Sequence, residues 1–222
     1  MSGLVTVDVA GILFDMDGVL VSSIGSVVRS WRRWAGHYGV PNADTYQVPH
    51  GHRAIDIVRM LKPDIDPHEG LRLIEDIEMV DVDDLTVLAG AGALLESLPP
   101  ERWAIVTSAT GRLARERLRI ARLPVPDRMI TADMVERGKP DPEPYRRGTE
   151  LIHSPAADCL VVEDAPSGVG AGIAAGCRVL GVLGTHSETE LRAAGASWIV
   201  QSLEDVSARV GPNGLTLSLQ TL

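Results

Sequence analysis

The chain has 222 residues, 45 % of them hydrophobic, which is enough for a sizeable core without disulfides or a structural metal. At roughly 100–200 residues per domain, that length exceeds one minimal domain and falls short of two full ones. Lys and Arg number 21 against 30 Asp and Glu, and the formal net charge of −9 argues against nucleic acid or a membrane surface as partner.

Residues 1–11 lack the basic start and long apolar run of a signal peptide. No stretch approaches the ~18–20 apolar residues of a membrane span, so a cytoplasmic protein is expected. Short aliphatic runs at Gly11-Ile12-Leu13-Phe14, Trp103-Ala104-Ile105-Val106, Cys159-Leu160-Val161-Val162, Val179-Leu180-Gly181-Val182 and Trp198-Ile199-Val200 read as strands buried on both faces of a parallel sheet. Between them the spacing is helical. Leu113, Arg117 and Leu118 share a helical pattern after Gly111, and residues 167–176 read as a small-residue helix lying close against the sheet. This alternation predicts an α/β fold with a central parallel sheet.

From about Ile24 to Thr86 no buried strand is readable. Ile24, Val27, Val28, Trp31, Trp34, Ala35 and Tyr38 fall at helical spacing up to Pro41. A second apolar face contains Ile55, Val58, Met60 and Leu61, and a third helix spans Pro67 to about Val80. The expected organisation is a core of 1–23 and 87–222 with a helical insert at 24–86. The insert would lie over the carboxyl edge of the sheet, where open α/β sheets place their ligands. Trp31 and Trp34 are expected in the core, Cys159 and Cys177 as small buried residues, and the segment from Pro212 as a loosely held tail.

The first predicted strand runs into Asp15-Met16-Asp17-Gly18. Residues i and i+2 at a strand end project to one side, so both carboxylates can face one site. Two carboxylates so close need a cation, a shared proton or different roles. Later strand ends add Thr107-Ser108 with backbone N–H groups suited to an anion, and Glu163-Asp164. Between them Lys139 lies in Arg137-Gly138-Lys139-Pro140-Asp141-Pro142, where Gly and Pro fix the backbone around it.

In this order the motifs FDMDG, VTSAT, GKPDPEPY and VVEDAPSG resemble the haloacid dehalogenase-like hydrolase superfamily over nearly the whole chain. The resemblance implies a Rossmann-like core with an inserted helical cap. It implies Asp15 as nucleophile forming an aspartyl-phosphate, and Asp17 as the group that protonates the leaving oxygen and then activates water. Mg²⁺ would be held by Asp15, the backbone carbonyl of Asp17 and Asp164, with Glu163 contributing directly or through water. Ser108, Ala109 and Lys139 would hold phosphate oxygens. Val19 and Ser22 depart from the residues that relatives often carry, at positions without chemistry.

Among the members, the chain resembles the 2-deoxyglucose-6-phosphate and glycerol-phosphate phosphatases, through Trp31-Arg32, His50-Gly51-His52-Arg53 with Asp56, and GKPDPEPY. This implies a small phosphorylated metabolite as substrate. His50, His52 and Arg53 are expected either in a solvated loop before the helix of Ile55 and Val58 or in a loop dipping into the cleft, with Arg53 on a sugar hydroxyl or the phosphate. Nothing in the sequence demands more than a monomer. A beta-phosphoglucomutase-type activity is the alternative; that branch usually has a His twelve residues beyond the nucleophile, where this chain has Val27. Other classes fit less well. The run Gly168-Val169-Gly170-Ala171-Gly172 follows two carboxylates that would repel a pyrophosphate. A phosphorylated receiver module leaves Asp17 unexplained, and a glycosidase pair leaves Lys139 without a task.

Overall fold

The computed structural model of the protein describes residues 3–49, 51–211 and 214–222. Apolar residues on both alternate positions put a strand between two covering layers, and the first such run is β2 (Gly11–Phe14), which follows β1 (Gly3–Val9). The short β3 (Val21–Ser22) leads into α1 (Ile24–His37), α2 (Ala54–Leu61) and α3 (Pro67–Val80), and β4 (Thr86–Val87) closes that excursion. Strand and helix then alternate through α4 (Ala91–Ser97), β5 (Trp103–Val106), α5 (Gly111–Ile120), β6 (Met129–Ile130) and α6 (Glu143–Leu151). The chain continues with β7 (Cys159–Glu163), α7 (Pro166–Ala174), β8 (Arg178–Val182), α8 (Glu188–Ala193) and β9 (Trp198–Val200), and ends in β10 (Val206–Gly211) and β11 (Gly214–Thr221).

Six parallel strands in the order β6-β5-β2-β7-β8-β9 form the main sheet, with Ile12 opposite Trp103 on one side and Leu160 on the other. All five predicted strands lie in it. Ile12 and Phe14 pack into one apolar layer with Leu94, Leu118 and Leu217, while Leu13 packs into the other with Tyr145, Val169 and Leu191. Cys159 and Cys177 are buried and unbridged. Burial pushes their thiols up to about 12 and about 11, so they pack as small apolar groups.

The expected tail is instead a strand. Gly214–Thr221 is the middle of a second, antiparallel sheet of order β1-β11-β10, with Leu215, Leu217 and Leu219 turned into the core. Its period-two pattern suits a sheet with one buried face, but its partner β1 lies at the other end of the sequence, so no local hairpin signal marks it. Pro212 and Asn213, where that expectation began, lie outside the described residues.

β3 and β4 pair antiparallel, so the chain leaves the main sheet and returns to it through adjacent strands. The three helices between them have the predicted positions and enclose their own cluster of Trp31, Trp34, Ile57, Val58, Ile74 and Ile77. Trp34 is completely buried and its indole N–H donates to the Gly70 carbonyl at 2.8 Å, as the core assignment of the tryptophans requires. α3 starts where Asp66 accepts the His68 backbone N–H at 2.9 Å and Pro67 takes the first helical position. Among the described residues no helix is long and apolar enough to cross a membrane.

Candidate active site

The carboxyl ends of β2, β5 and β7 deliver the predicted groups to one place. Asp15 continues β2 by donating its N–H to the Val162 carbonyl at 3.0 Å, and the chain then turns sharply at Gly18. Gly18 has φ +87°, and a Cβ there would lie 2.0 Å from the Asp164 carboxylate, so no other residue fits the turn. Asp15, Glu163 and Asp164 are buried, with one carboxylate oxygen from each within 4.8 Å of the others.

Lys139 lies among them with almost no solvent exposure. Its ammonium donates to Asp15 at 2.7 Å, Glu163 at 2.6 Å and the Val106 carbonyl at 3.0 Å, using all three protons. Burial disfavours its charge, but Asp15 and Glu163 outweigh that and keep Lys139 charged beyond its usual range. Burial raises the Asp15 carboxyl, and Glu163 and Asp164 add to the rise while Lys139 opposes it. Burial and Glu163 likewise push Asp164 up to about 7. Three carboxylates around one ammonium are an unbalanced set. Hard oxygen donors at this spacing suit a hard divalent cation.

The donor set separates Glu163 from the other two acids. Its Oε1 accepts from Lys139 and from the Tyr145 hydroxyl at 2.6 Å, and its Oε2 accepts from the backbone N–H groups of Asp164 and Ala165 at 3.2 and 3.4 Å. Glu163 is thus occupied in fixing Lys139. The glycine run after it has a matching purpose, since a Cβ on Gly168 would lie 1.8 Å from the Glu163 carboxylate. Asp164 accepts a short hydrogen bond from Thr185.

Asp17 points into the cleft and remains about a third exposed. Its carboxylate accepts from Ser23 Oγ at 3.0 Å and from Arg117 Nη1 at 2.8 Å, and Arg117 Nη2 reaches Glu78 on α3 at 3.3 Å. Ser108 lines the same cleft with its hydroxyl donated to the Gly51 carbonyl at 2.7 Å, and Ala109 donates its N–H to Thr107 Oγ1 at 3.0 Å. Arg53 is not brought to the acids. It is buried, pairs with Asp56 at 2.8 Å and donates to the Val135 carbonyl at 2.9 Å, stapling α2 to the loop that carries Lys139. His52 lines the cleft, and His50 lies outside the described residues.

Sequence reasoning missed Ser23, Glu78, Arg117, Tyr145 and Thr185. Two of them carried a signal: Arg117 as a charge set into the apolar helical pattern of Leu113 and Leu118, and Tyr145 as the last residue of the motif GKPDPEPY. Ile24, Val27, Trp31 and Leu71 form an apolar wall of the cleft, and Glu75 and Glu78 of α3 bring carboxylates to it.

Burial raises Glu78 to about 7 from 4.5, with Asp17 and Glu75 adding to the shift and Arg117 opposing it. Folding therefore takes up a proton between about pH 4.5 and 7, and stability from this group falls as pH rises through that window. Glu78→Gln is expected to gain stability relative to the parent between pH 5 and 8, by roughly 2–3 kcal/mol. Urea unfolding at both pH values checks this; an unchanged difference would show that Arg117 fully compensates the buried charge.

The sequence pattern of haloacid dehalogenase-like hydrolases matches residues 12–182. Hexitol phosphatase A of Escherichia coli is 39 % identical over 209 residues, covering 92 % of this chain and 96 % of that protein. Glycerol-1-phosphate phosphohydrolase 1 of Saccharomyces cerevisiae is 31 % identical over 214 residues, covering 90 % and 84 %. The crystal structure of a hydrolase from Pseudomonas syringae superposes with a TM-score of 0.75 at 25 % identity, covering 87 % of this chain and 94 % of that one. With the match running from the strand that carries Asp15 to the end of β8, the chain belongs to the haloacid dehalogenase-like hydrolase family.

Proposed function

We propose that this enzyme is a phosphatase that hydrolyses the phosphate monoester of a small sugar or polyol, with Asp15 as nucleophile. The observation that carries the reading is the buried Lys139 ammonium on Asp15, with Asp17 two residues on and turned to the same cleft. Asp15 attacks phosphorus and the bond to the leaving oxygen breaks, giving an aspartyl-phosphate. Asp17 gives its proton to that oxygen and then takes one from the water that hydrolyses the intermediate. Lys139 would offset charge on the transferred group's oxygens through its ammonium beside Asp15, and Ser108 would donate to one of them in exchange for its bond to the Gly51 carbonyl.

Magnesium fits the donor set: Asp15, Asp164 and the Asp17 backbone carbonyl would hold it, with Glu163 acting through water because its oxygens already have donors. Bound there, it supplies electrostatic neutralisation of the phosphoryl oxygens. The helices of 24–86 act as a cap domain over the core of 1–23 and 87–222, excluding water during transfer.

The substrate class rests on the similarity to a hexitol phosphatase and a glycerol-1-phosphate phosphohydrolase, and on a cleft with apolar walls and carboxylates able to accept from hydroxyls. Val27 presents methyl groups to that cleft where the mutase branch has an imidazole, which favours hydrolysis over transfer between sugar positions. A phosphate-release screen over hexitol, hexose and glycerol phosphates tests the reading, and should show release only with Mg²⁺. Full activity in excess chelator would overturn the metal assignment. Turnover of β-glucose 1-phosphate to its isomer without phosphate release would favour the mutase.

A further inference from the structure

Arg117 is a buried cation on an otherwise apolar helix face, between Leu113, Ala114 and Leu118. Burying a guanidinium there costs several kcal/mol before any partner is found, and an aliphatic side chain would serve packing better. Its two partners come from different parts of the fold. Nη1 donates to Asp17 Oδ2 at 2.8 Å, and Nη2 donates to Glu78 Oε2 at 3.3 Å. Ser23, just before α1, donates to the other Asp17 oxygen at 3.0 Å. Arg117 therefore grips Oδ2 through a guanidinium anchored on α3, which leaves Oδ1, bonded here to the rotatable Ser23 hydroxyl, as the oxygen that carries the transferred proton.

We propose that Arg117 is a positioning residue for proton transfer by Asp17, and that Glu78 fixes Arg117 in that role from the helical insert. This rests on the reading of Asp17 as the acid and base of the phosphatase. A carboxylate free to rotate about two side-chain bonds spends most of its time off the leaving oxygen, and misplacement of this kind can cost about 10²-fold in rate. The planar guanidinium sets the Asp17 orientation, and its second arm ties that orientation to α3. The acid is aligned when α3 is seated against α5 and loses one restraint when the two helices part.

The test is the dependence of kcat/KM on the leaving group in the Mg²⁺-loaded full chain, since kcat/KM reads events up to departure of that group. Glycerol 1-phosphate leaves as an alkoxide that needs a proton; p-nitrophenyl phosphate leaves as a stable anion that does not. Arg117→Gln is expected to lower kcat/KM on the alkyl ester by about 10²-fold and on the aryl ester by under tenfold. Arg117→Lys, which keeps one charge but cannot bridge both carboxylates, should show a smaller split of the same sign, as should Glu78→Gln. Asp17→Asn should show the largest split. If Asp17→Asn lowers both esters equally, the acid assignment itself fails. If Asp17→Asn splits them while Arg117→Gln and Arg117→Lys lower both equally or neither, the positioning role is overturned. Should Arg117→Gln not fold, Arg117→Lys and Glu78→Gln decide alone, and the absence of a split in both overturns the proposal.

Discussion

Asp15→Asn is expected to leave a folded protein with phosphate release reduced by at least about three orders of magnitude. The amide keeps the shape of the side chain and can still accept from Lys139, which approaches Asp15 at 2.7 Å. It removes the anionic oxygen that attacks phosphorus in the proposed reaction, and no neighbour can replace it: Glu163 is bound on both oxygens and Asp164 lies at the next strand end. Phosphate release and a circular-dichroism melt, measured together, separate lost chemistry from lost folding. A variant with a tenth of the parent rate would remove Asp15 from the nucleophile's role.

Lys139→Met is expected to affect folding and catalysis together. Its ammonium is the only basic side chain bonded to Asp15 or Glu163 among the described residues, and both acids are buried. Breaking a buried pair by removing one partner costs about 3–5 kcal/mol, because the other charge stays uncompensated. Loss of an electrostatic donor at the transferred group lowers kcat by a further ~10²–10³-fold. The double variant Lys139→Met with Glu163→Gln should recover part of the stability and none of the rate, because it removes one of the two stranded charges, leaves Asp15 and restores no donor. Denaturant unfolding and phosphate release on Lys139→Met and on the double variant check this. Stability unchanged in the single variant would mean that the acids hold protons in place of the lost ammonium.

The strands were legible where burial on both faces made them continuously apolar, as in β2, β5 and β7; the candidate acids and Ser108 follow those strands directly, and Lys139 was legible from the Gly and Pro that flank it. What bonds to what was less readable. Glu163 looks like a metal ligand by its place beside Asp164, yet its four donors come from Lys139, Tyr145 and two backbone N–H groups, a set assembled only by folding. Arg53 looked like a substrate contact because it sits among His and Gly in an insert loop, but the Val135 carbonyl that receives it is 82 residues away. β11 escaped detection for the same reason: alternating Leu, Thr and Ser suit a strand only once β1 and β10 are in place beside it.

The pairing of β1 with β11 also bears on the order of folding. Thr221 Oγ1 donates to the Gly3 carbonyl across a separation of 218 residues. The entropy of closing so long a loop rises only logarithmically with length, but contacts between such distant segments form slowly. Until β11 docks, Ile12 and Phe14 lack the Leu217 that packs in their layer, and β1 presents unpaired backbone along its edge. A partly folded chain therefore has an open flank directly behind the strand that ends in Asp15. Its vulnerability to self-association should be greatest at the stage when β1 and the Ile12–Phe14 layer are still uncovered.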